Sequence, residues 1–256
     1  MLRLYGSLKL RRMSAKPKAR LYTSEPLALG GAVLLTKEQA HYLRNVMRFE
    51  PGEEVALFNG RDGEWRGLIA ELGKKAGSVG LERQVRQQAA EPDVWLLFAP
   101  IKKARMDFVV EKATELGASR VWPVATHRTQ SARVNEDRVI AQTIEAAEQC
   151  ERLTLPEVTP GCSLETALKD WPAERRLFVL DETGQGKPVA ETLPAFKGEP
   201  AAFLIGPEGG FAQDELEILR SHAAVTSLSL GARILRAETA VVAALSCWQA
   251  LCGDWQ

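Results

Sequence analysis

Cysteine, histidine and tyrosine are scarce in this chain of 256 residues, which has four, three and three of them. The cysteines are Cys150, Cys162, Cys247 and Cys252. No two have C-x-x-C spacing, and His41, His127 and His222 do not cluster with them. That pattern argues against a zinc site or a disulfide framework and fits buried free thiols in a reducing compartment. No metal is expected. Long apolar runs are also missing. The longest, residues 94–101 and 240–245, fall well short of the roughly 18 residues that a membrane span needs. Net charge is absent, with 33 basic against 33 acidic residues. With 45% apolar and 26% charged residues, the composition is that of a globular protein and excludes a wholly disordered, collagenous or coiled-coil chain. The common phosphate fingerprints are missing too. G-x-x-x-x-G-K-[ST] fails because Pro188 follows Gly186-Lys187 and position 181 is Asp, and G-x-G-x-x-G fails after Gly184-Gln185-Gly186.

The neutral total hides a gradient. Residues 1–90 are net basic and residues 91–256 net acidic. The basic excess lies in residues 1–20, which hold Arg3, Lys9, Arg11, Arg12, Lys16, Lys18 and Arg20 and no acid. This stretch has no apolar h-region and so is not a secretory signal. Residues 1–18 read as a flexible basic leader. An organelle presequence, an RNA-contacting arm and a later start at Met13 are the alternatives.

From position 19 to 88 the texture is strand-like. Short apolar runs (27–29, 33–35, 53–58, 64–69) are separated by Gly30-Gly31 and by Asn59-Gly60-Arg61-Asp62-Gly63, a strong hairpin signal. One helix interrupts them. Thr36 is its expected N-cap, and Gln39 completes a capping box. Many short strands with one helix predict a small β-barrel. Residues 87–92 are polar, end in Pro92 and read as a linker. Beyond them, apolar strand segments (94–99, 121–124, 177–180, 202–205, 226–230) alternate with helical ones (105–116, 136–150, 239–251). That alternation predicts an α/β domain over residues 92–256 with a mainly parallel sheet.

Ligands of such sheets bind beyond the carboxyl ends of the strands. Three loops there stand out. One begins Asp181-Glu182-Thr183-Gly184. The second is Gly206-Pro207-Glu208-Gly209-Gly210, in which three glycines let the backbone approach a flat ligand. The third runs from Gly231 to Ala240 and carries Arg233, Arg236, Glu238 and Thr239 ahead of an apolar helix. A tight turn and an ordinary helix start are the plainer readings of the last two.

These residues resemble a known family. Gly206-Pro207-Glu208-Gly209-Gly210, followed by Leu230-Gly231-Ala232-Arg233-Ile234-Leu235-Arg236-Ala237-Glu238-Thr239-Ala240, is similar to the RsmE family of SPOUT-class methyltransferases. Lys112-Ala113-Thr114-Glu115-Leu116-Gly117, the segment from Ala146 to Arg152 with Leu155-Pro156-Glu157, and His41-Tyr42-Leu43-Arg44-Asn45-Val46-Met47-Arg48 with Gly60 agree in order. The resemblance spans residues 19–252. The family usually has an acid where this chain has His127, ahead of Arg128.

The resemblance implies a PUA-like barrel joined to a SPOUT α/β domain with a C-terminal trefoil knot, S-adenosylmethionine (SAM) as cofactor, and a cytoplasmic homodimer. It implies methylation of N3 of a specific uridine in 16S ribosomal RNA, with the RNA or the assembled small subunit as partner. Carried over residue by residue, the cofactor pocket would use Leu180, Ile205, Gly206, Pro207, Glu208, Gly209, Gly210, Leu230, Gly231, Ile234, Leu235 and Thr239. Arg236 would stabilise charge on the base, and Glu238 would orient Arg236 or take the proton, with Glu115 as a rival carboxylate. RNA contact would fall to Arg44 and Arg48, four apart on one helix face, to Arg61 and Arg66 beside the hairpin, and to Lys102, Lys103, Arg105 and Arg152. Trp65 and Trp122 read as core. A silent ribosome-assembly factor, or a methyltransferase for transfer RNA or a ribose hydroxyl, are the rival functions.

Overall fold

The computed structural model describes residues 17–129, 134–181 and 183–255. Most of the expected basic leader lies outside the described residues. Two compact units divide the chain, Met1–Gln87 and Gln88–Gln256.

In the first unit the strands are β1 (Arg20–Tyr22), β2 (Ala32–Leu35), β3 (Glu54–Phe58), β4 (Glu64–Leu72) and β5 (Gly77–Arg86), with helix α1 (Lys37–His41) after β2. They form one sheet in the order β1-β3-β4-β5-β2. The Asn-Gly hairpin joins β3 to β4. There Asn59 Oδ1 accepts from the amides of Arg61 and Asp62 at 3.0 and 2.8 Å, and Gly60 and Gly63 take φ of 78° and 72°. Thr36 caps α1 in a reciprocal box with Gln39, at 3.2 and 3.0 Å. Leu43, Val55, Leu57, Ile69 and Val79 fill the core.

Three expectations change here. Residues 27–29 form no strand. Leu27 is buried with its amide on Asp62 Oδ2 at 2.9 Å, while Leu29 is 75% exposed at a turn. Arg44 and Arg48 do not share a helix face. A π-helical turn takes over at Tyr42–Val46, and Arg48 follows it with φ of 57°. Arg66 is buried between Glu54 and Glu64, at 3.3 and 4.0 Å.

The second unit contains β6 (Val94–Phe98), α2 (Lys103–Glu115), β7 (Arg120–Ala125), α3 (Glu136–Cys150), β8 (Glu157–Val158), β9 (Cys162–Ser163), α4 (Leu164–Lys169) and β10 (Arg176–Leu180). It continues with β11 (Lys187–Pro188), α5 (Val189–Thr192), β12 (Ala201–Ile205), α6 (Gln213–Ser221), β13 (Val225–Ser229) and α7 (Ala237–Leu251). The sheet runs β11-β13-β10-β12-β6-β7-β8 with β9 beside β7, and its pairings are parallel. Helices cover both faces, which is why its strands are continuous apolar runs. Leu96, Phe178 and Phe203 pack with Val109, Val241 and Trp248. Their chain neighbours Leu97, Leu177 and Leu204 pack with Leu164, Leu216 and Leu219 on the opposite face. Gly117 ends α2 with φ of 80°, and a Cβ there would lie 2.5 Å from Gln249 Nε2, which donates to the Leu116 carbonyl at 2.8 Å. Trp122 is half-buried, as is Trp65 in the first unit, and each indole N–H is satisfied by a backbone carbonyl. Cys150 is exposed rather than buried; the other three cysteines are half-buried or buried.

Candidate functional site

Strand order brings the three loops together. β10 lies between β12 and β13, so loops more than 20 residues apart in the chain leave neighbouring strand ends. A cavity of about 350 Å³ opens beyond β10 and β13, at the lower end of the range for ligand sites. Leu180, Leu228, Leu230, Ile234, Leu235 and Ala240 supply apolar wall, and Asp181, Thr183, Gly184, Ser229, Gly231, Ala232 and Arg233 complete it. Gly231 holds φ of 101° with nothing within 4 Å of where its Cβ would stand. Any other residue there would be strained.

Asp181 anchors one wall. Its Oδ1 accepts from the Thr183 amide at 2.8 Å and its Oδ2 from Arg220 at 3.0 Å. Burial pushes its carboxyl up, but the bonds from Thr183 and Arg220 outweigh this and hold it below the usual range.

The glycine-rich loop sits one strand over, beyond β12. Ile205, Gly206, Pro207, Glu208, Gly209 and Gly210 are not among the residues lining the cavity, nor is Thr239, which is exposed on α7. The loop faces α6 and the exit of β7 instead. A Cβ on Gly206 would lie 2.9 Å from the Phe211 ring. Arg128 donates to the Gly209 carbonyl at 2.8 Å. Glu215, 1% exposed, accepts from the amides of His127 and Ala212, both at 2.8 Å. His127, at the usually acidic position, lies 3.3 Å from Asp214 and 3.8 Å from Glu165. It thus stands between acids instead of adding another.

The expected catalytic residues separate. Arg236 precedes α7 in extended conformation with an exposed side chain and makes no side-chain hydrogen bond or ion pair among the described residues. Glu238 lies in the first turn of α7, its side chain 15% exposed, with Oε1 3.6 Å from Arg105 and Oε2 buried without a hydrogen-bond partner among the described residues. Glu115 is elsewhere. It pairs with Lys112 at 2.9 Å beside a second cavity lined by Glu111, Gln142 and Glu145. Ten residues of α2, about 15 Å, separate it from Arg105, so within one chain it does not meet Glu238.

Of the expected RNA ligands, Arg44, Arg48, Arg61 and Lys102 are exposed, with Arg61 also reaching the Ser24 carbonyl at 2.9 Å. Lys103 opens α2. Arg66 and Arg152 are corrections. Arg66 is buried against Glu64 and the half-buried Glu54. Arg152, 7% exposed, binds Glu91 at 2.7 Å and the Thr114 carbonyl at 2.9 Å. Arg105 faces Glu208 and Glu238. The sequence pointed to the loop beginning at Asp181 and to Arg128 after His127 without giving Asp181 or Arg128 a role, and it gave no signal for Glu215. Among the described residues no group of three or more His, Cys, Asp or Glu could hold a metal, and no helix is long and apolar enough to cross a membrane.

The family model for an RNA methyltransferase domain matches residues 89–249, and that for an RNA methyltransferase PUA domain matches residues 35–82. Ribosomal RNA small subunit methyltransferase E of Rickettsia conorii is 32% identical over 228 residues, which are 89% of this chain and 93% of the relative. The chain belongs to the RsmE family. Its fold is the SPOUT-type α/β methyltransferase fold with an N-terminal PUA-like domain. A Legionella pneumophila methyltransferase solved with SAM bound superposes with a TM-score of 0.82 at 30% identity, covering 92% of this chain and 98% of that one. Ribosomal RNA small subunit methyltransferase E of Neisseria gonorrhoeae, also bound to SAM, gives 0.82 at 28% identity over 93% and 99%. The RsmE-type chain described here fits such a cofactor on its own chemistry. Leucine and isoleucine walls suit a purine and an alkyl chain, and the loop backbones after β10 and β13 bring polar groups to the rim.

Proposed function

We propose that this methyltransferase uses SAM to methylate N3 of a specific uridine in small-subunit ribosomal RNA, on the assembled subunit. The observation that carries the reading is the cavity beyond β10 and β13, flanked by the segment holding Arg236 and Glu238. Leu180, Leu230, Gly231, Ile234 and Leu235 would hold the cofactor there. When bound, SAM supplies a methyl group on a positively charged sulfur, an electrophile that needs no metal.

Uridine N3 carries a proton on its pairing edge, so the base must be unpaired to react. Arg236, exposed and without a hydrogen-bond or ion-pair partner among the described residues, can stand against the flanking carbonyl oxygens, where negative charge develops as the proton leaves. Glu238 offers its unpartnered Oε2 as the proton acceptor. The two side chains leave the chain within one turn of each other, next to the cavity. The glycine-rich loop would close over the cofactor, and the C-terminal segment would form the knot. Assembly as a homodimer and a cytoplasmic location, where small subunits are made, belong to the same proposal. Arg44, Arg48, Arg61 and Lys102 would meet phosphates.

The test is SAM-dependent methylation of small subunits lacking the modification, followed by mass-spectrometric mapping of the nucleoside. N3-methyluridine in the small-subunit RNA is the expected product. A 2′-O-methyl product, or methylated transfer RNA alone, would replace this reading.

A further inference from the structure

Arg105 lies in the first turn of α2, yet its guanidinium joins two distant segments. Nη1 stands 3.2 Å from Glu208 Oε1, in the glycine-rich loop, and Nε stands 3.6 Å from Glu238 Oε1, at the start of α7. One cation between two carboxylates leaves the group with a net negative charge. That environment repels a phosphate instead of binding it. The arrangement also divides the work of Glu238. Oε1 faces Arg105, while Oε2 is buried without a partner. Buried polar atoms are nearly always hydrogen-bonded, so this orphan, which lies in sequence between the cavity-lining Leu235 and Ala240, asks for a donor that the described residues do not supply.

We propose that Arg105 is a positioning residue for the methyl transfer. By holding Oε1 it turns Oε2 of Glu238 toward the imide N–H of the target base, and by holding Glu208 it keeps the glycine-rich loop in step with α7. In the step it serves, the N3 proton passes to Oε2 and the nitrogen keeps the electron pair that forms the new N–C bond, as the methyl–sulfur bond breaks and leaves its pair on the sulfur of the departing thioether. The proposal rests on the reading that Glu238 is the proton acceptor. It adds that an arginine on another element decides where that acceptor points. Lysine is a poor substitute, because a point charge cannot face two carboxylates in the way a planar fork can.

The experiment is a double-mutant cycle on the full-length protein with small subunits as substrate. Glu238→Gln is expected to lower kcat by about a hundredfold. Arg105→Gln should lower kcat at least about tenfold at saturating RNA and SAM, with the RNA dissociation constant within about twofold. Arg105→Lys should recover part of the loss. The double variant should be no slower than Glu238→Gln alone, because the two residues act as one unit. Arg105→Ala, read by thermal midpoint and SAM affinity, checks that the fold is retained, with Arg105→Gln as the milder variant. Additive losses in the cycle would overturn the coupling. An unchanged kcat, with weaker RNA binding and a salt slope lowered by about one unit, would make Arg105 a phosphate ligand instead. A wild-type kcat in Glu238→Gln would overturn the Glu238 assignment and the positioning role together. A slow Glu238→Gln beside a normal Arg105→Gln would overturn the positioning role alone.

Discussion

Arg128 reaches across 81 residues of sequence to hold the carbonyl of Gly209 at 2.8 Å. A Cβ on Gly209 would lie 3.5 Å from Arg128 Cβ, so the loop backbone rests directly on the stem of this arginine. The bond ties the β7 exit to the glycine-rich loop from outside the cavity beyond β10 and β13. Glu215 supports the same junction from beneath, through the amides of His127 and Ala212.

Arg128→Ala should therefore loosen the glycine-rich loop more than it destabilises the protein. A single exposed hydrogen bond is worth about 1 kcal/mol, so the thermal midpoint should fall only slightly. If the loop closes over the cofactor, SAM affinity by calorimetry should drop several-fold. Unchanged affinity would remove this loop from the cofactor site. Glu215→Ala is the contrasting variant. It leaves two part-buried amides without their acceptor, at a cost of at most about 1–3 kcal/mol each, and should appear mainly as lost stability.

Ala232 lines the cavity with its side chain exposed. Ala232→Trp places an indole in the space assigned to the cofactor without touching the core. SAM affinity should fall by about tenfold or more, which is about 1.4 kcal/mol, while the thermal midpoint stays near wild type. An unaltered dissociation constant would move the cofactor elsewhere.

Arg236 makes no side-chain hydrogen bond or ion pair among the described residues and is exposed, so Arg236→Ala should fold and bind SAM normally. If its guanidinium stabilises charge on the base, kcat should fall by about a hundredfold or more, the loss seen when one such donor is removed. A variant with wild-type kcat would end this assignment.

Much of this was legible in the sequence because it was local. The Thr36–Gln39 box, the 59–63 hairpin and helix α3 each follow from residues within a few positions of one another. The cavity was legible in half. Leu230, Gly231, Ile234 and Leu235 share one loop, and Leu180 ends a recognisable strand. That β13 pairs with β10, putting Asp181 and Thr183 opposite them, depends on pairing 48 residues apart that no periodicity reveals. The arginines show the same limit. Arg44, Arg66, Arg105 and Arg152 look alike as sequence, and only their distant acids separate a free cation from a structural one. Strand register puts Arg66 opposite Ala56, between Glu54 and Glu64, and Arg152 finds Glu91 across 61 residues.

That distinction predicts opposite phenotypes. Arg44→Glu with Arg48→Glu changes two exposed side chains and should leave the thermal midpoint nearly unchanged. RNA binding should weaken, and the slope of log K against log salt should shrink by about 0.7–0.9 per lost phosphate contact. Arg66→Ala should instead unfold the first unit more readily, by about 1.5–3 kcal/mol, because it removes a buried guanidinium hydrogen-bonded to Glu54, while Glu54 and Glu64 keep Arg83 and Arg20. A stable Arg66→Ala with a shallower salt slope would return Arg66 to the RNA surface.

Asp181 gives the pH dependence its sign. Its folded carboxyl lies below the ordinary range, because the bonds from Thr183 and Arg220 outweigh burial. A carboxyl depressed in the folded state contributes stability above its unfolded value, near pH 4. That contribution is lost as pH falls through the lower folded value. Wild-type stability should therefore decline below about pH 4, as followed by denaturant midpoints across pH. Asp181→Asn should be less stable at pH 7 by about 1–3 kcal/mol, the worth of hydrogen bonds to a charged group, and its acid decline should be shallower. The same substitution can keep the bond from the Thr183 amide but sets an NH2 donor against Arg220 at the cavity wall, so SAM affinity should weaken with it at neutral pH. Parallel acid profiles for the two proteins would show that Asp181 carries no linked proton.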